Sequence, residues 1–444
     1  MWYKGVMTQS PPNTPQTELV RAIGRWSMVA LVFNSMVGSG IFGLPAPVAG
    51  FLGRASPLAA LIAGAGMGVI IACYGEVASQ FTETGGTYLY LRHAFGRLVG
   101  LQVGWLTLLS RLTAVAAAVN LLASYLAEFW PGATQPVPRL AIITAFIGVL
   151  AAVNYRGVGA GTLMSNASVV AKLTALGVMC AAGVAWLVVH PAVAAQPLTP
   201  SADGWLKAML LLLFVYAGYE AALNPRGEAR DPRRDVAFAL FAGLVIVTML
   251  CSVLQWVVVG VLSDPAHSQR PLADAARVML GQPGAAFIAV GALISVYGYV
   301  SANMLTTPRG IFALAQGGDF PAVLGAIHPR WRTPHVSIAV FAVAVWAFSQ
   351  FASFSWNVTL SAVARVMFYA GICAAVPVLR RKQPGAAAFR VPGGLTLPVL
   401  GVAICALLLT RVDFGKSVIL LATIAGALLN WALVRDRGLR AARA

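Results

Sequence analysis

The chain of 444 residues is 59% hydrophobic and only 10% charged, whereas a soluble domain has roughly 45–50% apolar and about 25% charged residues. This composition excludes a water-soluble globular enzyme and, at about 20 residues per membrane helix, leaves room for about a dozen to fifteen spans. The formal charge of +17 would suggest a nucleic acid partner for a soluble protein. In a membrane protein it is typical of basic loops that set the orientation, so we expect no nucleic acid partner.

Apolar stretches of spanning length predict an all-α membrane protein with twelve transmembrane helices. The predicted spans are 26–48, 56–80, 98–127, 138–154, 161–189, 204–224, 236–262, 284–316, 336–353, 357–379, 395–411 and 416–434. An even number of spans places both termini on one side, and basic residues gather in cytoplasmic loops. Most loop Lys and Arg lie on the side of the termini, whereas the other side holds only Arg54, Arg139, Lys207, Arg270, Arg277, Arg411 and Lys416. We therefore expect a multi-pass protein of a bacterial-type inner membrane with both termini in the cytoplasm.

Span 1 carries the glycine-rich segment 38–45, with the sequence GSGIFGLP, inside an otherwise apolar stretch. The segment matches G-x-G-x-x-G, but it lacks the preceding strand and the later acidic residue of a dinucleotide site. Two interpretations remain open. The small residues favour close packing of membrane helices, or they interrupt the helix and leave free N–H groups that can hold a carboxylate.

Span 6 also looks interrupted. Gly218 and Glu220 lie in mid-membrane, and the polar segment 224–232 follows. Because the two breaks lie five helices apart, they favour an inverted repeat of spans 1–5 and 6–10 with a binding site between the halves. The predicted organisation is a cytoplasmic tail (1–25), a first repeat (26–190), a second repeat (204–379), two additional spans (395–434) and a second cytoplasmic tail (435–444).

Several charged residues fall inside or at the ends of apolar stretches, namely Arg111, Lys172, Arg309, Arg365, Glu76 and Glu220. A charge at the bilayer centre costs at least about 2.5–3.5 kcal/mol, so such residues normally face the interior of the bundle or a water-filled path. Arg111 keeps its charge and needs an anion. That anion is either Glu76 or Glu220, or a second carboxylate on a substrate. Glu220, Glu76 and Arg365 are candidates for gating or ion pairing, and the mixed-charge segment 226–235 is either a solvated loop or an inner gate.

The order and spacing of several motifs resemble the amino acid, polyamine and organocation (APC) superfamily of transporters. The matching segments are 38–42, Glu76 with 85–88 and 95–96, Trp105, 218–220 with 227–232, Arg309 with 318–321, 328–329 and 389–394. The resemblance implies a five-plus-five inverted repeat with two extra helices, broken helices 1 and 6, and an amino acid bound at the breaks.

Carried over position by position, the resemblance implies a set of substrate-binding residues. Gly38, Ser39 and Gly40 look like the cradle for the carboxylate, and carbonyl groups near Val37, Phe214 and Ala217 would receive the amine. Phe214 would also close over the substrate from outside. The full predicted set is Val37, Gly38, Ser39, Gly40, Ile41, Arg111, Phe214, Ala217, Gly218 and Asn303.

Lys172 lies well inside span 5. One interpretation is a lysine whose ammonium reaches an interface along its alkyl chain. The other comes from the resemblance, because in sodium-independent members of the superfamily a span 5 lysine lies where sodium-coupled relatives bind their cation. Lys172 is therefore a candidate coupling residue, either a proton carrier or a fixed cation in place of sodium.

Some functional classes are disfavoured by missing motifs. The sequence contains no G-x-x-x-x-G-K-[ST], no H-E-x-x-H and no paired Cys–His cluster, so we expect no metal, no cofactor and no enzyme activity. We also find no polar stripe or filter sequence typical of a channel. The sequence predicts a secondary amino acid transporter, or permease, that works by alternating access, is sodium-independent and is coupled to protons. An amino acid/amine exchanger, a channel and a polytopic membrane enzyme are the alternatives.

Overall fold

The computed structural model describes residues 24–81, 85–157, 161–190, 199–222 and 232–441. These residues form helices and connecting turns without any β-strand, as predicted for an all-α membrane protein. The helices are α1 (Arg25–Met36), α2 (Gly40–Gly43), α3 (Pro45–Leu52), α4 (Ser56–Ser79), α5 (Gly86–Phe95), α6 (Arg97–Leu126), α7 (Pro136–Arg156), α8 (Gly161–Val189), α9 (Ala202–Tyr216), α10 (Tyr219–Ala222), α11 (Pro232–Val261), α12 (Pro271–Gln316), α13 (His335–Phe351), α14 (Phe354–Lys382), α15 (Thr396–Leu409) and α16 (Phe414–Ala441).

Within the described residues, eight helical segments are long and apolar enough to cross a membrane. They are Pro45–Ser79, Arg97–Leu126, Pro136–Arg156, Ser168–Val189, Asp235–Val261, Pro271–Gln316, Phe354–Lys382 and Phe414–Val434. The first takes α3 and α4 together across a short 3₁₀ turn. Two shorter helices, α13 and α15, are also apolar. Val149 on α7 and Leu433 on α16 are 62% and 65% exposed, which is the exposure expected of apolar side chains that face lipid.

The structure differs from the predicted elements in two places. The stretch predicted as one loop between spans 2 and 3 contains α5, which is only ten residues long and is therefore too short to span a bilayer. Its Tyr90, Leu91 and Ala94 are buried, so it is held by tertiary packing. α12 begins at Pro271, earlier than predicted, and is kinked at Gly281, where φ is 72°.

One end of the helical bundle is formed by residues 76–81, 85–97, 317–333 and 380–394, and we call it the basic end. Arg380 Nε donates to Glu76 Oε1 at 2.6 Å, and Arg97 Nε donates to Asp319 Oδ1 at 2.7 Å. Tyr88 also donates its hydroxyl to Asp319. These contacts join segments that are distant in the chain.

The opposite end is closed by a different set of contacts. Asn120 Nδ2 donates to the Ala352 carbonyl at 2.7 Å, and Arg139 Nη2 donates to the Ser349 carbonyl, also at 2.7 Å. The Glu128 carboxylate pairs with Arg270 at 3.1 Å. The loops that begin and end α6, α12, α13 and α14 are thus fixed at two separate ends of the bundle.

Small residues bring α8 close to α12 in the core. An added Cβ at Gly291 would lie 2.4 Å from Ala175 Cβ, and one at Gly298 would lie 2.8 Å from Ser168 Cβ. Small side chains permit this close approach of helices in membranes. The contact fixes the position of Lys172, which lies on α8 between Ser168 and Ala175.

Candidate functional site

The first predicted span is interrupted at residues 37–39. α1 ends at Met36 and α2 begins at Gly40, and Val37 between them has φ −78° and ψ 83°, which is not helical. The N–H groups of Ser39, Gly40 and Ile41 donate no hydrogen bond to any residue that the structure describes. The Ser39 hydroxyl is buried and has no partner in the same part of the chain. A free row of N–H groups with an unpaired hydroxyl suits an anion.

The sixth predicted span is interrupted at Ala217 and Gly218, between α9 and α10. Ala217 is extended, with φ −77° and ψ 164°, and Gly218 has φ 105°, a conformation that favours glycine. An added Cβ at Gly218 would lie only 2.3 Å from the Ser35 carbonyl oxygen. Glycine is therefore required for the close approach of the second break to the last turn of α1, just before the first break.

Lys172 binds the backbone at the first break. Its Nζ donates to the Val37 carbonyl at 2.8 Å and to the Asn34 carbonyl at 2.9 Å. The residue is 7% exposed, so the ammonium lies in the interior of the bundle and does not reach an interface. α8 is thereby linked to the end of α1.

Glu220 lies at the second break and binds groups from two elements. Its carboxylate accepts from the Gly218 N–H at 2.9 Å, from Arg365 Nη1 at 3.3 Å and from the Tyr369 hydroxyl. Arg365 and Tyr369 belong to α14. The ion pair therefore links the break in span 6 to α14.

Glu76 is separate from this arrangement. Its two carboxylate oxygens accept from Arg380 Nε at 2.6 Å and Nη2 at 2.7 Å, and the Val391 N–H donates to it at 2.7 Å. These partners hold the basic end of α4 against the end of α14 and the segment that follows.

A cavity of about 720 Å³ lies beside the two breaks, and we call it the central cavity. Its wall includes residues of α6, α8, α12 and α14, for example Thr107, Ser168, Tyr299 and Phe368. The structure brings seven of the predicted site residues into this wall, namely Val37, Arg111, Lys172, Gly218, Glu220, Asn303 and Arg365. It does not bring in Gly38, Ser39, Gly40, Ile41, Phe214, Ala217 or Glu76.

The glycines of the first break face two different neighbours. An added Cβ at Gly40 would lie 2.9 Å from Phe214 Cδ1, so Gly40 permits close packing of the two broken helices. An added Cβ at Gly38 would lie 3.5 Å from the Tyr299 ring, and Tyr299 lines the central cavity. Both interpretations of the glycine segment therefore have a counterpart in the structure, because it is an interrupted helix and also a packing surface.

Among the described residues, those that line the central cavity near an end of the bundle belong to the basic end. The cavity wall includes Gly85, Leu89, Leu314 and Phe320, which lie at that end. Toward the opposite end an added Cβ at Gly43 would lie 2.5 Å from the Phe354 ring. This close packing lies on the side of the first break away from the basic end.

Arg111 lies in the wall of the central cavity. Among the residues that the structure describes, no hydrogen bond or salt bridge of its guanidinium is found. Of the two carboxylates proposed as its internal partners, Glu76 is held by Arg380 and Glu220 by Arg365. Neither carboxylate therefore pairs with Arg111 in this conformation.

Sequence reasoning predicted Asn303 on α12 but missed the rest of the polar face to which it belongs. Ser295, Tyr299, Asn303 and Thr306 all line the central cavity, and their spacing of three or four residues puts them on one face of a helix. Counting polar residues at helical spacing along span 8 would have found it.

Some predicted features cannot be placed. Residues 1–23, which make up most of the N-terminal tail, and the charged residues Arg226, Glu228, Arg230 and Asp231 lie outside the described residues. At the edge of that charged segment, Asp235 accepts from Arg25 Nε at 3.3 Å.

Comparison with known proteins agrees with the fold. The family described as "Amino acid permease" matches residues 23–433. The serine/threonine exchanger SteT of Bacillus subtilis is 25% identical over 406 residues, which cover 88% of this chain and 91% of the exchanger. From the same organism, the branched-chain amino acid permease BcaP is 23% identical over 433 residues (93% and 92%), and the methylthioribose transporter is 24% identical over 406 residues (87% of each). The chain is therefore a multi-pass membrane transporter, not an enzyme, and belongs to the amino acid permease family of the APC superfamily.

Proposed function

We propose that the protein is a secondary transporter that moves amino acids across the cytoplasmic membrane by alternating access. The observation that carries this proposal is the contact of Gly218, at the second break, with Ser35 in the last turn of α1 just before the first break, beside a cavity that extends toward the basic end. Transporters with inverted repeats bind substrate at such discontinuous helices near the midplane. The close packing of Gly43 against Phe354 favours a carrier over a channel, because a channel would need a continuous path.

The proposed topology has twelve spans, with spans 1–5 and 6–10 as inverted repeats. In this proposal α1, α2 and α3 together form span 1, α9 and α10 form span 6, and the shorter helices α13 and α15 are spans 9 and 11. The basic end is assigned to the cytoplasm because positive residues gather in cytoplasmic loops. With that assignment the central cavity faces the cytoplasm.

The substrate is proposed to bind at the two breaks. The N–H groups of Ser39, Gly40 and Ile41, together with the Ser39 hydroxyl, would receive the α-carboxylate. Carbonyl groups at Val37, Phe214 and Ala217 would receive the amine, and Asn303 lies on the facing wall. Since Phe214 now packs against Gly40, binding requires this ring to move.

Lys172 is proposed to replace a bound sodium ion. Its ammonium already joins the Asn34 and Val37 carbonyls to α8, which is the kind of contact that a cation would make. Uptake is therefore expected to be independent of sodium. Coupling to protons would follow if release of the Lys172 proton loosens this link during the cycle.

Exchange of one amino acid for another is the second candidate mode. It is favoured by the similarity to a relative that is named an exchanger. A carrier that exchanges substrates needs no driving ion, and then Lys172 would act as a fixed cation.

The experiment is counterflow in proteoliposomes that contain the purified protein. Liposomes loaded with each of the twenty amino acids in turn should accumulate the same labelled amino acid transiently for at least one member of the panel, with choline in place of sodium. Accumulation that needs an inside amino acid identifies a carrier. Equilibration at the same rate from empty liposomes, without saturation, would instead identify a channel, and no flux of any amino acid would refute the proposed function.

A further inference from the structure

The wall of the central cavity carries more positive than negative charge. Among the described residues, the ionisable lysine, arginine and acidic residues of this wall are Arg111, Lys172, Arg365 and Glu220. Three of these are cations and one is an acid. A neutral site would need two further negative charges.

Arg111 differs from the other three in its contacts. Lys172 binds two backbone carbonyls, and Arg365 and Glu220 bind each other. The guanidinium of Arg111 has no such partner within the part of the chain that the structure describes. The excess positive charge of the wall is therefore carried by Lys172, whose ammonium is hydrogen-bonded to carbonyls, and by Arg111, whose guanidinium has no described partner.

An arginine keeps its charge in proteins, so Arg111 cannot become neutral to suit its surroundings. Arg111 is partly exposed in the wall of the central cavity, and a charge withdrawn from bulk water is unfavourable unless it is paired and hydrogen-bonded. The planar guanidinium presents two parallel donors that match a carboxylate. The missing partner is therefore expected to be a carboxylate that enters the cavity.

The surroundings of Arg111 are those of a binding subsite. Arg111 lies in the middle of α6, and its neighbour Ser110 is 3.1 Å from Ser361 of α14, one turn from Arg365. Thr107, one helical turn before Arg111, also lines the cavity. Its buried hydroxyl has no partner among the described residues. A second unpaired polar group thus lies on the same face of α6.

We propose that Arg111 binds a carboxylate on the substrate side chain, so that the transporter carries acidic amino acids. This inference depends on the proposed function, in which the α-carboxylate and the amine are bound at the helix breaks. Arg111 supplies the second carboxylate site. A cationic side chain is repelled there, and a neutral one leaves the guanidinium unpaired.

The test compares glutamate with glutamine, which has nearly the same shape but no side-chain charge, in proteoliposome counterflow. Wild-type protein should transport glutamate or aspartate with a lower KM than glutamine or asparagine. Loss of a hydrogen-bonded charge pair corresponds to about a 10- to 100-fold change, so Arg111→Gln should raise the KM for the acidic substrate by about this factor. The KM for glutamine should change by less than about threefold. For the acidic substrate, the KM of Arg111→Lys should lie between that of the wild type and that of Arg111→Gln.

Arg411→Gln is the control variant, because Arg411 pairs with Asp203 at the opposite end. This variant should leave both KM values unchanged. If Arg111→Gln does not fold, thermal unfolding of the wild-type protein gives a second measurement, in which glutamate should raise the Tm more than glutamine does. Wild-type transport of glutamine with no preference for glutamate, or an equal effect of Arg111→Gln on both substrates, would overturn the inference and leave the proposed function standing. Absence of counterflow for every amino acid would instead refute the proposed function.

Discussion

Replacement of Gly218 by alanine should separate the two helix breaks and stop transport. The Cβ of Gly218→Ala would lie 2.3 Å from the Ser35 carbonyl oxygen, whereas ordinary C···O contacts are about 3.3 Å or longer. The two breaks must therefore move apart by about 1 Å. Alanine at the φ of 105° adds backbone strain of at least about 1–2 kcal/mol, because left-handed conformations are unfavourable for residues with a Cβ.

The assay is binding and counterflow of the best substrate, with the Tm in detergent measured in parallel. Gly218→Ala should lower the Tm, because the strain destabilises the folded protein, and should weaken binding by about tenfold, the value of about one hydrogen bond lost at the displaced break. Gly148→Ala is the matched control, because nothing lies within 4 Å of the added Cβ there. If Gly218→Ala binds and transports with wild-type KM and rate, the contact between the breaks is irrelevant to the site.

Other predictions concern Ser39, Lys172 and Glu76. Ser39→Ala removes a buried hydroxyl that has no partner among the described residues, so the Tm should hardly change. The KM should rise roughly three- to tenfold because a hydrogen bond to the substrate is lost. An unchanged KM would exclude the hydroxyl from substrate binding. Lys172→Ala leaves the Asn34 and Val37 carbonyls unpaired, at about 1–3 kcal/mol each, and should abolish transport. Lys172→Arg should keep exchange but lose any response of uptake to a proton gradient. If wild-type uptake stops when choline replaces sodium, the role given to Lys172 is contradicted. Glu76→Gln should lower the Tm by weakening the pair with Arg380 without changing KM, and a changed KM would connect Glu76 to the site.

The prediction of helix breaks from sequence worked from local signals. Glycines at 38 and 40 and at 218 mark positions where a helix is easily interrupted, and the structure has non-helical residues at both places. The family was predicted from motifs along the whole chain and is confirmed by the match over residues 23–433. Such features depend on residues that are near one another in sequence.

Contacts between distant helices could not be predicted in the same way. The sequence left Arg111 with a choice between Glu76, Glu220 and a ligand, because three charges on separate helices do not specify which pairs form. The structure shows that Arg380 and Arg365 hold the two carboxylates. The short helix α5 was missed for a related reason, since its buried residues are stabilised by packing against other helices and not by an apolar stretch of its own.

The packing of Phe354 against Gly43 has a consequence for the resting state of the protein. The ring occupies space that even one methyl group on Gly43 would fill, with Leu121 Cδ1 only 3.0 Å from the same point. In an alternating-access cycle these surfaces must part when the opposite end opens. The apparent affinity for a substrate is the intrinsic affinity reduced by the fraction of molecules in the conformation that binds it. This contact therefore sets in part the fraction of molecules that face each side of the membrane before substrate arrives. Natural variation at position 43 or 354 would change the apparent affinity without altering any group that touches the substrate.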